Sequence, residues 1–299
     1  MSGVLAPIVS TDDTAGAKHI RAAFVAARSD GRVALLPYVV AGYPDAETSL
    51  AVALAAVDAG ADVLELGLPY SDPLADGATL QRASSVALQN GATFDRSMEL
   101  LVRIHVARPA MPLVPMAYLN QAVGRDDPET VLRRLADAGA SGLILADLTP
   151  DEGAEVEAAA RAAGIALIYL VAPTTPHVRR AAIAARSGGF VYGVSFVGVT
   201  GARRNLSSTA GTFLRDLRAV SPIPVAAGFG VSRPAHVRQL ARVADGVIVG
   251  SALVDALGPD GHEVAPMGRL VADLHAATAR RGDPARFPRA AWEAPGSSS

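Results

Sequence analysis

The chain has 299 residues, 50% of them hydrophobic, a formal net charge of −2 and no cysteine. That content is ample for one large core, the near-neutral charge argues against a polyanionic partner, and disulfides, thiolate chemistry and cysteine-built zinc sites are excluded. Lys18 is the single lysine and precedes the first strong strand, so a Schiff-base lysine within a core is excluded, and with it pyridoxal chemistry in this chain.

The opening MSGVLAPIVSTDDT has no basic stretch followed by a long apolar run, and Asp12 and Asp13 argue against a targeting helix. Apolar runs elsewhere are broken well short of a membrane span, so a soluble cytoplasmic protein is expected. Residues 1–13 read as a flexible arm and 284–299, ending WEAPGSSS, as a flexible tail. Between them, 14–29 carry Ile20, Phe24 and Val25 at helical spacing, which predicts a lone helix suited to plugging the bottom of a barrel.

A strand–helix rhythm follows. Strands are predicted over Val33–Val40, Asp62–Gly67, Pro112–Tyr118, Gly142–Asp147, Ala166–Val171, Phe190–Ser195, Pro224–Ala227 and Gly246–Val249. Helices are predicted over 46–59, 79–88, 94–106, 127–137, 151–163, 176–186, 209–220, 233–243 and 266–281. The strands are apolar runs suited to burial on both faces, as parallel sheets require. Eight strand–helix units predict an α/β fold, a TIM (β/α)8 barrel forming a single domain over 14–283 with an extra N-terminal helix. The competing doubly wound sheet would place a glycine-rich phosphate fingerprint early, whereas here the glycine pairs come late.

The stretch LELGLPYSDPLADG (64–77) holds the most chemistry. Side-chain alternation puts Leu64 and Leu66 on one face and Val63, Glu65 and Gly67 on the other, so Glu65 is a carboxylate among small and apolar neighbours. Desolvation there raises a pKa toward the range useful for proton transfer; a structural glutamate satisfied by local donors is the plainer alternative. Asp76, on the loop leaving the same strand, supplies a second carboxyl in different surroundings, the raw material for divided acid/base roles. The six histidines show no ligand spacing, so no metal site is expected. Gly228-Phe229-Gly230 and Gly250-Ser251 follow the seventh and eighth strands, where barrels bind phosphate through loop amides; the alternative is that these glycines only turn the chain. Residues 196–208, FVGVTGARRNLSS, have the composition of a lid or of a plain surface loop. Asp147 closes the fourth strand on the inward parity and is given a supporting role only, and Asp72 reads equally as a turn former.

From about residue 33 to 280 the chain resembles the α subunit of tryptophan synthase, through LPYVVAGYPD (36–45), LELGLPYSDPLADGATLQRA (64–83), Tyr118 with Asn120, ADLTPDE (146–152), APTTP (172–176), YGVSFVGVTGAR (192–203), GFGVSRP (228–234) and GSALV (250–254). The resemblance implies a lyase that cleaves indole-3-glycerol phosphate to indole and glyceraldehyde 3-phosphate by a retro-aldol step in tryptophan biosynthesis. It implies Glu65 as the acid/base at indole C3 and the glycerol hydroxyl, and Asp76 as the group receiving the indole N–H. Tyr38, Tyr118, Tyr192 and Thr200 are then expected at the substrate, and Gly201, Phe229, Gly230, Gly250 and Ser251 around the phosphate. No cofactor is expected in this chain; pyridoxal phosphate belongs to a partner β subunit of an α2β2 complex, contacted near Pro69, Asp72 and Asn120. Three positions depart from the family pattern: Ala78 and Gln121 stand where proline is usual, and Tyr38 where phenylalanine is frequent. A stand-alone lyase releasing free indole and a non-catalytic barrel subunit remain the alternatives.

Overall fold

The computed structural model describes residues 12–73, 76–124, 126–194, 208–228 and 230–280, together with Trp292. Positions 1–11 of the expected arm, the expected tail apart from Trp292, and all but Ser208 of the expected lid segment lie outside the described residues.

The chain opens with α1 (Ala15–Ser29), β1 (Ala34–Val40) and α2 (Ala46–Asp58). Next come β2 (Leu64–Gly67), α3 (Ala78–Gln89), α4 (Phe94–Ala107), β3 (Leu113–Ala117), α5 (Leu119–Val123) and α6 (Pro128–Asp137). They are followed by β4 (Gly142–Leu145), α7 (Ala154–Ala163), β5 (Ala166–Ile168), β6 (Leu170–Val171), α8 (His177–Arg186) and β7 (Val191–Val194). The chain continues through α9 (Ser208–Val220), β8 (Val225–Gly228), α10 (Pro234–Leu240), β9 (Gly246–Val249), α11 (Ser251–Ala256) and α12 (Val264–Ala276). Local sequence sets several of these boundaries. The side chains of Thr14, Asp45, Thr93 and Asp127 accept the orphan N–H groups of α1, α2, α4 and α6, and Gly164, left-handed at φ 75°, stops α7.

All strand pairs are parallel, in the order β5-β4-β3-β2-β1-β9-β8-β7-β6. β5 and β6 are two pieces of one strand interrupted at Tyr169, so the nine segments occupy eight barrel positions. The interruption has a local cause: the Tyr169 N–H is taken by the Ser187 hydroxyl at 3.0 Å, while the Tyr169 carbonyl still accepts from Tyr192 N at 3.1 Å. The (β/α)8 barrel expectation therefore holds.

The core divides as a barrel demands. Leu64, Leu66, Leu143 and Leu145 join the layer between sheet and helices, whereas Leu36, Val63, Val114, Ile144, Ile168 and Ile248 fill the interior. Ile20 and Phe24 of α1 pack into that inner cluster, with the Phe24 and Phe190 rings 5.7 Å apart, so α1 plugs the barrel as its spacing suggests; Val25 instead faces outward. No helix among the described residues is long and apolar enough to cross a membrane.

Candidate active site

The expected site residues converge on the rim formed by the C-terminal ends of the strands. β1 and β2 pair with Tyr38 opposite Glu65, which puts both side chains on the same face of the sheet. Glu65 shares its parity with Val63 of the inner cluster and faces the barrel interior, as alternation along the strand requires. It is fully buried, and neither carboxyl oxygen has a hydrogen-bond partner among the described residues. The plainer reading of a glutamate satisfied by local donors finds no support in that arrangement. Burial without compensation pushes its carboxyl well above the usual range, so the neutral acid is the stable form.

Two tyrosines near this acid each lie against a glycine. A side chain at Gly67 would meet the Tyr38 hydroxyl at 1.9 Å, and one at Gly228 would meet the Tyr192 ring at 2.6 Å. Gly250 faces the other side of Tyr38, where an added Cβ would lie 3.2 Å from the ring. The small residues at strand ends thus make room for the two phenols. Burial first, then the charges of Asp76 and Glu65 and the nearby Tyr118, push the Tyr38 phenol far up; burial, then Glu65, Tyr38 and Asp76, do the same for Tyr192. Both phenols are therefore neutral hydroxyls within electrostatic reach of both carboxyls.

Asp76 sits on the segment leaving β2, and burial raises it from 3.8 to about 6. Its backbone N–H donates to the Pro73 carbonyl at 3.1 Å, and its carbonyl accepts from Gln81 Nε2 at 2.9 Å. Burial raises both carboxyls, the wholly buried Glu65 and, to about 6, the partly buried Asp76, and two carboxyls in unlike surroundings are what divided proton-transfer roles require.

Around this pair, Tyr118 is buried at the start of α5 and stacks on Tyr70 with ring centroids 4.9 Å apart. Gly230, with φ 62°, follows β8, and Gly250 and Ser251 lead from β9 into α11. These positions lie at the same end of the barrel as Tyr38. Thr200, Gly201 and Phe229 lie outside the described residues. Of the three expected partner-contact residues, Asp72 and Asn120 are exposed, while Pro69 is buried. Asp147 departs from its expected placement. It lies past the end of β4, exposed, and accepts the Leu119 N–H at 2.7 Å, so it faces out of the barrel and supports the start of α5. Among the described residues no three His, Asp or Glu gather to hold a metal ion.

Gln81 and Tyr70 were not among the residues expected at the site, and Gln121 stood out only as a departure from the family pattern. Gln81 and Gln121 reach the Asp76 segment from α3 and α5, and Tyr70 pairs with Tyr118 across the rim. All act through contacts that local sequence does not encode.

The profile of the family described as tryptophan synthase alpha chain matches residues 24–276. A tryptophan synthase alpha chain of Roseiflexus sp. (strain RS-1) is 47% identical over 254 residues, covering 85% of this chain and 95% of that protein. One from Gloeobacter violaceus is 46% identical over 242 residues, covering 80% and 86%. Among solved structures, Mycobacterium tuberculosis tryptophan synthase superposes with a TM-score of 0.81 at 38% identity, covering 91% of this chain and 99% of that one. The alpha subunit from Legionella pneumophila superposes with a TM-score of 0.79 at 30% identity, covering 87% and 98%.

Proposed function

The chain belongs to the tryptophan synthase alpha chain family, a lyase-type subunit of tryptophan biosynthesis, and on that premise we propose that Glu65 and Asp76 divide the proton transfers that cleave indole-3-glycerol phosphate. The observation that carries this reading is the contrast between a fully buried Glu65, whose carboxyl has no hydrogen-bond partner among the described residues, and an Asp76 raised to about 6 on the adjoining segment.

A carbon–carbon cleavage needs somewhere for the bonding electrons to go. Neutral Glu65 donates its proton to indole C3, and the ring becomes an electron-poor iminium. The C3–C1′ pair then returns to the ring, the C1′ hydroxyl loses its proton to the Glu65 carboxylate, and the aldehyde forms. Glu65 ends reprotonated, so atoms and charge balance as indole and glyceraldehyde 3-phosphate separate. Asp76, ionised at neutral pH, accepts a hydrogen bond from the indole N–H and stabilises the positive charge that builds there. Tyr38, Tyr118 and Tyr192 enclose the ring. The amides of Gly230, Gly250 and Ser251 grip the phosphate without any lysine.

The test measures indole release from indole-3-glycerol phosphate. Glu65→Gln should lower turnover by at least about 10²-fold, the usual worth of a positioned general acid, while retaining affinity for a phosphate-bearing product analogue. Unchanged turnover removes Glu65 from the mechanism. A pyridoxal-phosphate β subunit is the partner this reading assigns, seated near Asp72, Asn120 and the Pro69 turn. Full activity of the chain alone, without binding a β subunit, favours the stand-alone lyase instead.

A further inference from the structure

Two glutamines from different helices hold the segment that carries Asp76. From α5, Gln121 Nε2 donates to the Pro69 carbonyl at 2.6 Å, while its Oε1 accepts the Tyr118 N–H at 3.4 Å. From α3, Gln81 Nε2 donates to the Asp76 carbonyl at 2.9 Å and reaches the Pro73 carbonyl at 3.4 Å. Beside the first anchor, Asn120 Nδ2 donates to the Tyr70 hydroxyl at 2.6 Å, and Tyr70 stacks on Tyr118. Within the described part of the segment, the backbone adds only the turn bond from Asp76 N to Pro73 O at 3.1 Å. Where the described residues of a segment carry no sheet or helix ladder, side-chain anchors of this kind set its conformation.

We propose that Gln81 and Gln121 are positioning residues that clamp the two ends of the Asp76 segment and hold its carboxyl at the barrel mouth. The proposal rests on the reading of Asp76 as the base at the indole nitrogen for its kinetic consequence, but not for its structural one. Proline at position 121 would supply no side-chain donor, so the front anchor is a property of this chain's glutamine. The amides touch no reacting atom; they act through the backbone on either side of Asp76.

The decisive variants are Gln81→Met, Gln121→Met and the double substitution in the full-length chain. Methionine matches glutamine in length and helix propensity but donates no hydrogen bond, and it adds no charge beside Asp76. The first readout is the titration of the Asp76 carboxyl followed by carbon NMR, which needs no turnover. Loosening the segment admits water, so the midpoint should fall from about 6 by about one pH unit in the double variant, with thermal unfolding nearly unchanged. The second is indole release, where each single variant should lose about three- to tenfold in kcat/KM, mostly in kcat. An unmoved Asp76 titration in the double variant overturns the clamp, whatever the substrate. A wild-type chain that releases no indole overturns the functional reading and leaves the titration to decide the clamp by itself.

Discussion

Replacing Asp76 with asparagine should make the protein more stable, by an amount that depends on pH. Burial raises this carboxyl from 3.8 to about 6, and each factor of ten in proton affinity corresponds to about 1.36 kcal/mol. Because the folded-state pKa lies above the unfolded one, the native chain binds the proton more tightly. The wild type therefore loses stability as pH rises from about 4 to about 6 and is flat beyond. By pH 8 the ionised form costs the native state up to about 3 kcal/mol, and at pH 4 about 0.6 kcal/mol. Asparagine does not titrate, so the stability difference between Asp76→Asn and wild type should widen by about 2 to 3 kcal/mol between those two pH values. Glu65 also titrates abnormally, but it is present in both chains and cancels in the difference. Urea unfolding of both proteins at pH 4, 6 and 8 measures this directly. A difference that stays constant with pH would falsify the argument that burial alone sets this carboxyl, and so the basis for its role as a base.

The pH profile of indole release should be bell-shaped. Its acid limb falls near 6, where Asp76 must ionise, and its alkaline limb where Glu65 loses its proton; a profile flat below pH 6 contradicts the assignment of the base. Gly67→Ala should cost about 1–3 kcal/mol, because the new methyl collides with the Tyr38 hydroxyl at 1.9 Å, and adding Tyr38→Ala should recover part of that cost. Strict additivity of the two substitutions shows that they do not meet. Asp245→Ala should destabilise by about 3–5 kcal/mol. It strips a partner from Arg218 at 2.9 Å, Arg280 at 3.6 Å and the Val225 N–H at 3.1 Å. Asp245 precedes β9 at the end of the barrel opposite the carboxyls, so kcat measured where the variant is folded should be unchanged.

Much of the fold was legible because its signals are local. Period-two alternation put Glu65 and Val63 on the inner face, and α1 declared its inward stripe through Ile20 and Phe24. The loop carboxylate at Asp76 and the late glycines near Gly230 and Gly250 could be located from strand order alone. What escaped depends on partners distant in the chain. The break at Tyr169 is set by a hydroxyl 18 positions downstream, and the Pro69 carbonyl is met by a side chain 52 positions away. α5, at five residues, is too short to show a period, and its start is supported by Asp147, whose parity suggested an inward role instead. The burial of Pro69 follows from the packing of the β2 exit, which no motif announces.

The α1 helix that fills the base has an effect on traffic. With Ile20 and Phe24 lodged among the inner residues, side chains close the base of the barrel, the end away from the Glu65 rim. On the function proposed above, a substrate and its two fragments would then pass the rim rather than the base. A partner seated on that rim would therefore lie beside the path of the departing fragments.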